Sequence, residues 1–346
     1  MNKMRVMQSI KLLNHQTQGY LYNPINSGIQ PSNSPPKLSF QPTQKRKIAK
    51  VKKVLVVSSG KGGVGKSTIS VNLAISLSKL SIRVGLLDLD IFGPSIPKLM
   101  NLENLTPSLN RDNALIPLRN HGISCMSIGF LLPQDSESRS NSMVAWRGMM
   151  VMKAVQQLLF DVDWSNSERS KECETISNDD SSLDVLVIDM PPGTGDVAIS
   201  LGQLVEIDGA VIVTTPQDIA LIDVTKGLNM FRKLNIPVIG TVLNMSSFTC
   251  PNCKSDLKIF GSTQSFENLL KSSGLVELGK VPLNIEINRS SDNGKPISTK
   301  SNFASSDPNT NIANNKGDLD CKNHIENGTY FDEISKKCFD SLFKPI

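Results

Sequence analysis

VLVVSSGKGGVGKSTISVNLAISLSKL, residues 54–80, reads as strand, glycine loop and helix in that order. VLVVSS (54–59) is an apolar, β-branched run of the kind that forms a strand buried on both faces. STISVNLAISLSKL follows, with Ile69, Leu73, Leu77 and Leu80 on one helical face. Between them GKGGVGKST (60–68) contains the spacing G-x-x-x-x-G-K-[ST], from Gly60 to Gly65, Lys66 and Ser67. Such a loop cradles phosphate because glycines let successive N–H groups turn inward, and the helix N-terminus adds partial positive charge. Gly60, Lys61, Gly62, Gly63, Val64, Gly65, Lys66, Ser67 and Thr68 are therefore the expected nucleotide-binding segment. Lys66 is expected to reach the β- and γ-phosphates of ATP, and the Ser67 hydroxyl to ligate Mg²⁺. Lys61 is a second cation where one suffices. It is expected to offset charge developing in phosphoryl transfer or to face a neighbouring subunit; a solvated loop lysine is the alternative.

Outward from this core the chain alternates apolar strands with helices. Strand candidates are 84–90, 123–130, 183–189, 209–215, 237–244 and 275–281; helix candidates are 150–160, 196–205, 219–234 and 261–273. Such alternation specifies a doubly wound α/β domain with a mostly parallel sheet, expected over 54–346. Polar stretches at 134–142, 165–182 and 301–329 read as surface insertions or disordered loops. YFDEISKKCFDSLF (330–343) places Phe331, Ile334, Cys338 and Leu342 along one face, as a helix docked on the domain or, alternatively, on a membrane surface. The Met-rich WRGMMVMKAV (146–155) reads as core and dimer-surface packing.

The net charge of +5 divides unevenly. Residues 1–53 hold ten Lys and Arg and no acid, leaving 27 basic and 32 acidic residues for the rest. An acid-poor, basic, Ser-containing leader is of organellar transit type, with a solvated tail or a basic nucleic-acid patch as the alternative; either way it is expected outside the fold. The mildly acidic body argues against nucleic acid as partner. No run of 18 apolar residues exists, so no spanning helix and no stable membrane insertion are expected. Six cysteines with one close pair do not make a disulfide framework, which points to a reducing compartment.

That pair is Cys250 and Cys253 in C-P-N-C. A C-x-x-C supplies two thiolates, whereas a [4Fe–4S] cluster or tetrahedral zinc takes four. Cys125, Cys173, Cys321 and Cys338 are poorly placed to complete a set, but two copies of the pair meeting on a twofold axis would. A bridged cluster, a bridged zinc, a redox dithiol and inert thiols all remain open at this point.

Several segments together resemble the Mrp/ApbC family of deviant Walker A ATPases, the iron–sulfur cluster carriers. They are KGGVGKS in the loop, DLDIFGPSIPKLM (88–100), WRGMMVMKAVQQLLFDVDW (146–164), VLVIDMPPGTGDVAISL (185–201), VLNMSSFTCPNC (242–253) and NIEINRSSDNGKP (284–296). With a transit-type leader, the branch resembled is the mitochondrial one that assembles clusters for respiratory complex I. The resemblance implies a SIMIBI-type P-loop NTPase that is a weak ATPase and homodimer. It implies a [4Fe–4S] cluster bridging Cys250 and Cys253 of two protomers, passed on to recipient apoproteins. Asp189, closing an apolar strand, would be the Walker B acid and Asp90 would position the attacking water, Asp88 being the weaker candidate. Asn244 would contact adenine. The mitochondrial matrix is the implied compartment, with the cytosol as alternative. One departure is CPNCKSDLKIFG, where the family often has CPHCG and a His before IFG. Rival functions are a partition or positioning ATPase without a cluster, and a zinc-bridged dimeric scaffold.

Overall fold

In the computed structural model, which describes residues 44–91, 93–131, 149–165, 182–250, 252–253, 255–299 and 318–344, the run after residue 50 becomes β1 (Val51–Ser59). Leu55, Val56 and Val57 are consecutive and all fully buried, so both faces of the strand are covered. The glycine loop leads into α1 (Lys66–Ser78), then β2 (Val84–Asp88) and the short α2 (Ile96–Leu99). Small strands β3 (Ser108–Leu109), β4 (Leu115–Ile116) and β5 (Leu118–Asn120) precede β6 (Ile123–Ser127). There follow α3 (Met149–Phe160), β7 (Leu183–Asp189), α4 (Asp196–Leu204), β8 (Gly209–Thr214), α5 (Asp218–Lys233) and β9 (Val238–Asn244). A hairpin of β10 (Phe248–Thr249) and β11 (Asp256–Leu257) leads to α6 (Gln264–Ser273), β12 (Glu277–Val281), α7 (Ile285–Asp292) and α8 (Asp318–Phe343).

The main sheet runs β12-β9-β8-β1-β7-β2-β6-β5, parallel throughout except where β5 returns on β6. β7 inserts between β1 and β2, so Asp189 is in register with Val57 on one side and Asp88 on the other. Strands that are neighbours in space but not in sequence leave a crevice beyond their carboxyl ends, where ligands of open α/β sheets sit. The ends of β1, β2 and β7 meet there. Among the described residues no helix is long and apolar enough to cross a membrane.

Three expectations need correction. Residues 44–53 belong to the fold. Arg46 donates its N–H to Leu204 O (2.8 Å) and stacks its guanidinium over the Phe160 ring at 4.0 Å, and Ile48 is buried. Lys52 and Lys53 pair with Asp184 and Asp208 at 3.0 and 2.9 Å. The basic run was expected outside because charge patterning alone does not reveal that partners wait on neighbouring strands. From residue 44 onward, 33 Lys and Arg face 32 Asp and Glu, so the body is nearly neutral rather than acidic. Second, the helix expected to carry Ile69, Leu73, Leu77 and Leu80 on one face ends at Ser78, before Leu80, and is buried all round over Ile69–Leu77, where α8 and the turn at Ile297–Thr299 pack on it. Third, α8 starts at Asp318, inside a stretch expected as loop; extending a helix already nucleated by its packed C-terminal half costs little. Phe331, Ile334, Cys338 and Leu342 are all buried, against the domain. The leader to residue 43, the stretches 134–142 and 166–181, and Trp146 to Gly148 lie outside the described residues.

Candidate functional site

The glycine loop crosses from the end of β1 to the first turn of α1. Gly65 sits at φ 83° as the residue capping α1, a left-handed conformation that strains any side chain, and no side chain bonds the first-turn N–H groups. A β-carbon on Gly60 would lie 2.5 Å from the Asp223 carbonyl carbon in α5, so loop and helix pack backbone to backbone. The loop forms one wall of a cavity of about 510 Å³, with Gly62, Gly63, Gly65, Lys66, Ser67 and Thr68 on that wall. Asp90, Pro94 and Ser95 stand opposite, and Pro192 completes the rim. A volume of this size suits a nucleotide.

Behind Lys66 and Ser67 of the cavity wall, the buried Asp189 gathers three donors. Lys66 Nζ lies 2.7 Å from its Oδ2, Ser67 Oγ donates to the same oxygen at 2.7 Å, and Ser70 Oγ donates to Oδ1 at 2.6 Å. Asp189 is fully buried and Lys66 is 6% exposed, so the pair is held in a poorly screened environment. The residues fit ATP and Mg²⁺: N–H groups at a helix start that no side chain caps, a lysine on the cavity wall, and a hydroxyl beside a carboxylate, the oxygen donors that Mg²⁺ takes. Ser70 was not singled out from sequence. Its place three residues after Ser67, one turn on along the same helix face, was the available signal.

Asp88 ends β2 one strand from Asp189. Burial, and then the neighbouring Asp189 charge, push its carboxyl up to about 7, against the opposing pull of the Asp90 N–H, Lys66 and Ser127. Asp90 is half-buried in the cavity wall. Lys61 is exposed, its carbonyl accepting from Ser59 Oγ at 3.0 Å, and it has no ion-pair partner among the described residues. Asn244 Nδ2 donates to Val64 O at 2.8 Å, so its amide nitrogen is committed to the glycine loop. Its side chain also borders a recess of about 40 Å³ beside Thr68, Val281 and Asn284. Lys98 and Asp292, which sequence reading passed over, form an exposed 3.6 Å ion pair on the cavity wall.

The cysteine pair occupies the tip of the β10–β11 hairpin. The Cys250 N–H donates to Ser255 O at 2.9 Å, and Cys253 Sγ lies 2.9 Å from Ser255 Oγ. Hydrogen bonds from the Ser255 hydroxyl, the Ser255 N–H and Cys250 hold the exposed Cys253 thiol down to about 7. Cys338 is the opposite case: burial pushes it up to about 12, and burial raises Cys125 as well. Among the described residues no three His, Cys, Asp or Glu side chains gather into a metal site, so the hairpin offers two thiols per chain.

A family model described as ParA, NUBPL iron-transfer P-loop NTPase, matches residues 50–315. The mouse iron–sulfur cluster transfer protein NUBPL is 50% identical over 256 residues, covering 73% of each chain. An Arabidopsis thaliana protein, named as an iron–sulfur protein required for NADH dehydrogenase, mitochondrial, is 43% identical over 256 residues and 74% of each chain. Among solved structures, a nucleotide-binding protein from Archaeoglobus fulgidus in complex with ADP superposes with a TM-score of 0.58 at 32% identity, covering 72% of this chain and 89% of that one.

Proposed function

The chain belongs to the family of NUBPL iron-transfer P-loop NTPases and iron–sulfur cluster carriers, and on that premise we propose that it is an ATP-dependent carrier of a [4Fe–4S] cluster. Two copies would hold the cluster, their cargo, between Cys250 and Cys253 of each, and pass it to recipient apoproteins. The observation that carries this reading is the presence in one chain of a glycine loop against Asp189 and a hairpin whose Cys253 thiol is held near 7. A thiol ionised near neutral pH is the form that ligates iron.

In the nucleotide site, Lys66 and Gly62 to Thr68 would hold the phosphates, and Ser67 with Asp189 would hold Mg²⁺, directly or through water. The bound metal would supply charge neutralisation on the transferring phosphoryl group. Asp90, across the cavity, would orient the water. Lys61, exposed at the start of the loop, would reach the partner's nucleotide across a dimer interface. Hydrolysis would be slow and would serve as a switch between holding and releasing the cargo. We further propose the mitochondrial matrix as the compartment.

Anaerobic reconstitution with iron and sulfide tests the cargo site. The native protein is expected to gain absorption near ~400 nm and to carry iron at one cluster per dimer. Cys250→Ala/Cys253→Ala is expected to bind ATP yet stay colourless. Retention of iron by that variant rejects the hairpin as the site, and a colourless zinc-loaded native protein favours a scaffold.

A further inference from the structure

Asp88 grips both ends of one loop. Its Oδ1 accepts the Asp90 N–H at 2.9 Å and its Oδ2 accepts the Ile96 N–H at 3.3 Å. The residues between include Pro94 and Ser95, which with Asp90 form the cavity wall opposite the glycine loop. A third donor, Ser127 Oγ at the end of β6, reaches Oδ2 at 2.9 Å and in turn accepts the Gly129 N–H at 3.0 Å. The carboxyl is fully buried, so these donors replace the water it has lost. Its position also ties it to Asp189. The two residues are register partners on β2 and β7, and the Leu89 N–H donates to the Asp189 carbonyl at 2.9 Å.

We propose that Asp88 is a positioning residue: it clasps the 90–96 loop against the sheet and transmits to that loop the rearrangement at Asp189 when Lys66 leaves it for phosphate. Asp90 is then placed for its role by a residue that touches neither nucleotide nor water. The sequence hides this, because Asp88 and Asp90 stand two residues apart at a strand end, where nothing in the spacing says which acid holds the loop. What makes it a clasp is the return of the chain at Ile96 and the arrival of Ser127 from a different strand. The inference rests on the nucleotide-site reading for its consequence, but not for its geometry.

Asp88→Asn tests it, since the amide keeps the shape and loses one acceptor. In the whole, nucleotide-free protein, the backbone amides of Asp90 and Ile96, which Asp88 accepts, are expected to exchange about tenfold faster in the variant, with the first turn of α1 unchanged. Mg-ATP binding is expected to stay within about twofold, while the hydrolysis kcat falls about tenfold at little-changed KM. Adding Mg²⁺ with a non-hydrolysable ATP analogue is expected to change exchange at 90–96 in the native protein and much less in the variant. Should Asp88→Asn fail to fold, Ser127→Ala serves instead: it is expected to speed exchange at Ile96 more than at Asp90, because Ser127 and Ile96 share Oδ2. Unchanged exchange at 90–96 overturns the clasp, as does abolished Mg-ATP binding in Asp88→Asn, which would make Asp88 a ligand contact. A native protein that binds no Mg-ATP sinks the nucleotide reading instead, while the exchange comparison still decides the clasp.

Discussion

Lys66 and Asp189 form an ion pair of 2.7 Å in which neither partner has appreciable contact with water. Both charges are desolvated, so each depends on the other. Asp189→Asn leaves the ammonium without its counter-charge, and urea unfolding of the nucleotide-free protein should show a loss of about 3 kcal/mol. A loss below about 1 kcal/mol would mean that the pair is not held as described. Cys253 offers a second test. An acid held at about 7 is ionised above that pH and neutral below it, so alkylation of the iron-free protein should rise through pH 7. Ser255→Ala removes the hydroxyl that stabilises the thiolate, and the midpoint of the alkylation profile should move upward toward that of an ordinary thiol near ~8.5. A profile unmoved by Ser255→Ala would place the cause elsewhere.

At the scale of elements, α1 is the piece on which the site depends. Its N-terminus presents Lys66 and Ser67, and its outer face is closed by α8, whose Phe331 is fully buried and whose Asp332 pairs with Lys79 at 3.2 Å just past the end of α1. Gly279 in β12 has no side chain because a β-carbon there would meet Ile334 Cγ1 at 2.7 Å, so α8 lies almost on the strand. Phe331→Ala should cost about 3–5 kcal/mol by chemical denaturation, and nucleotide affinity should weaken with it if α8 braces α1. The periodicity of 330–343 made the docked face of α8 legible in advance. The burial of Ser70, Asn72 and Ser76 on the other side of α1 was not legible, because small polar residues look like a solvent face until a second helix covers them.

For the whole molecule, the boundary at residue 44 matters more than the net charge. A chain beginning at residue 54 loses Ile48, the Arg46–Phe160 stack, the Lys53–Asp208 pair and the first residues of β1, whereas one beginning at 44 keeps them. A loss of about 2 kcal/mol should separate the two, a drop in Tm of roughly 4–8 °C by calorimetry. Equal melting temperatures would return the basic run to the leader. Strand periods, the glycine loop and the C-x-x-C pair were decided by the sequence itself, since period, glycine spacing and thiol number are local properties. The tertiary structure alone decided that β7 enters between β1 and β2, that Ser70 and Lys66 converge on Asp189, and that Asp88 holds Asp90 and Ile96 together. Those contacts join residues from different strands and helices. Their strength comes from exclusion of water, which exists only once the sheet and its covering helices have closed around them.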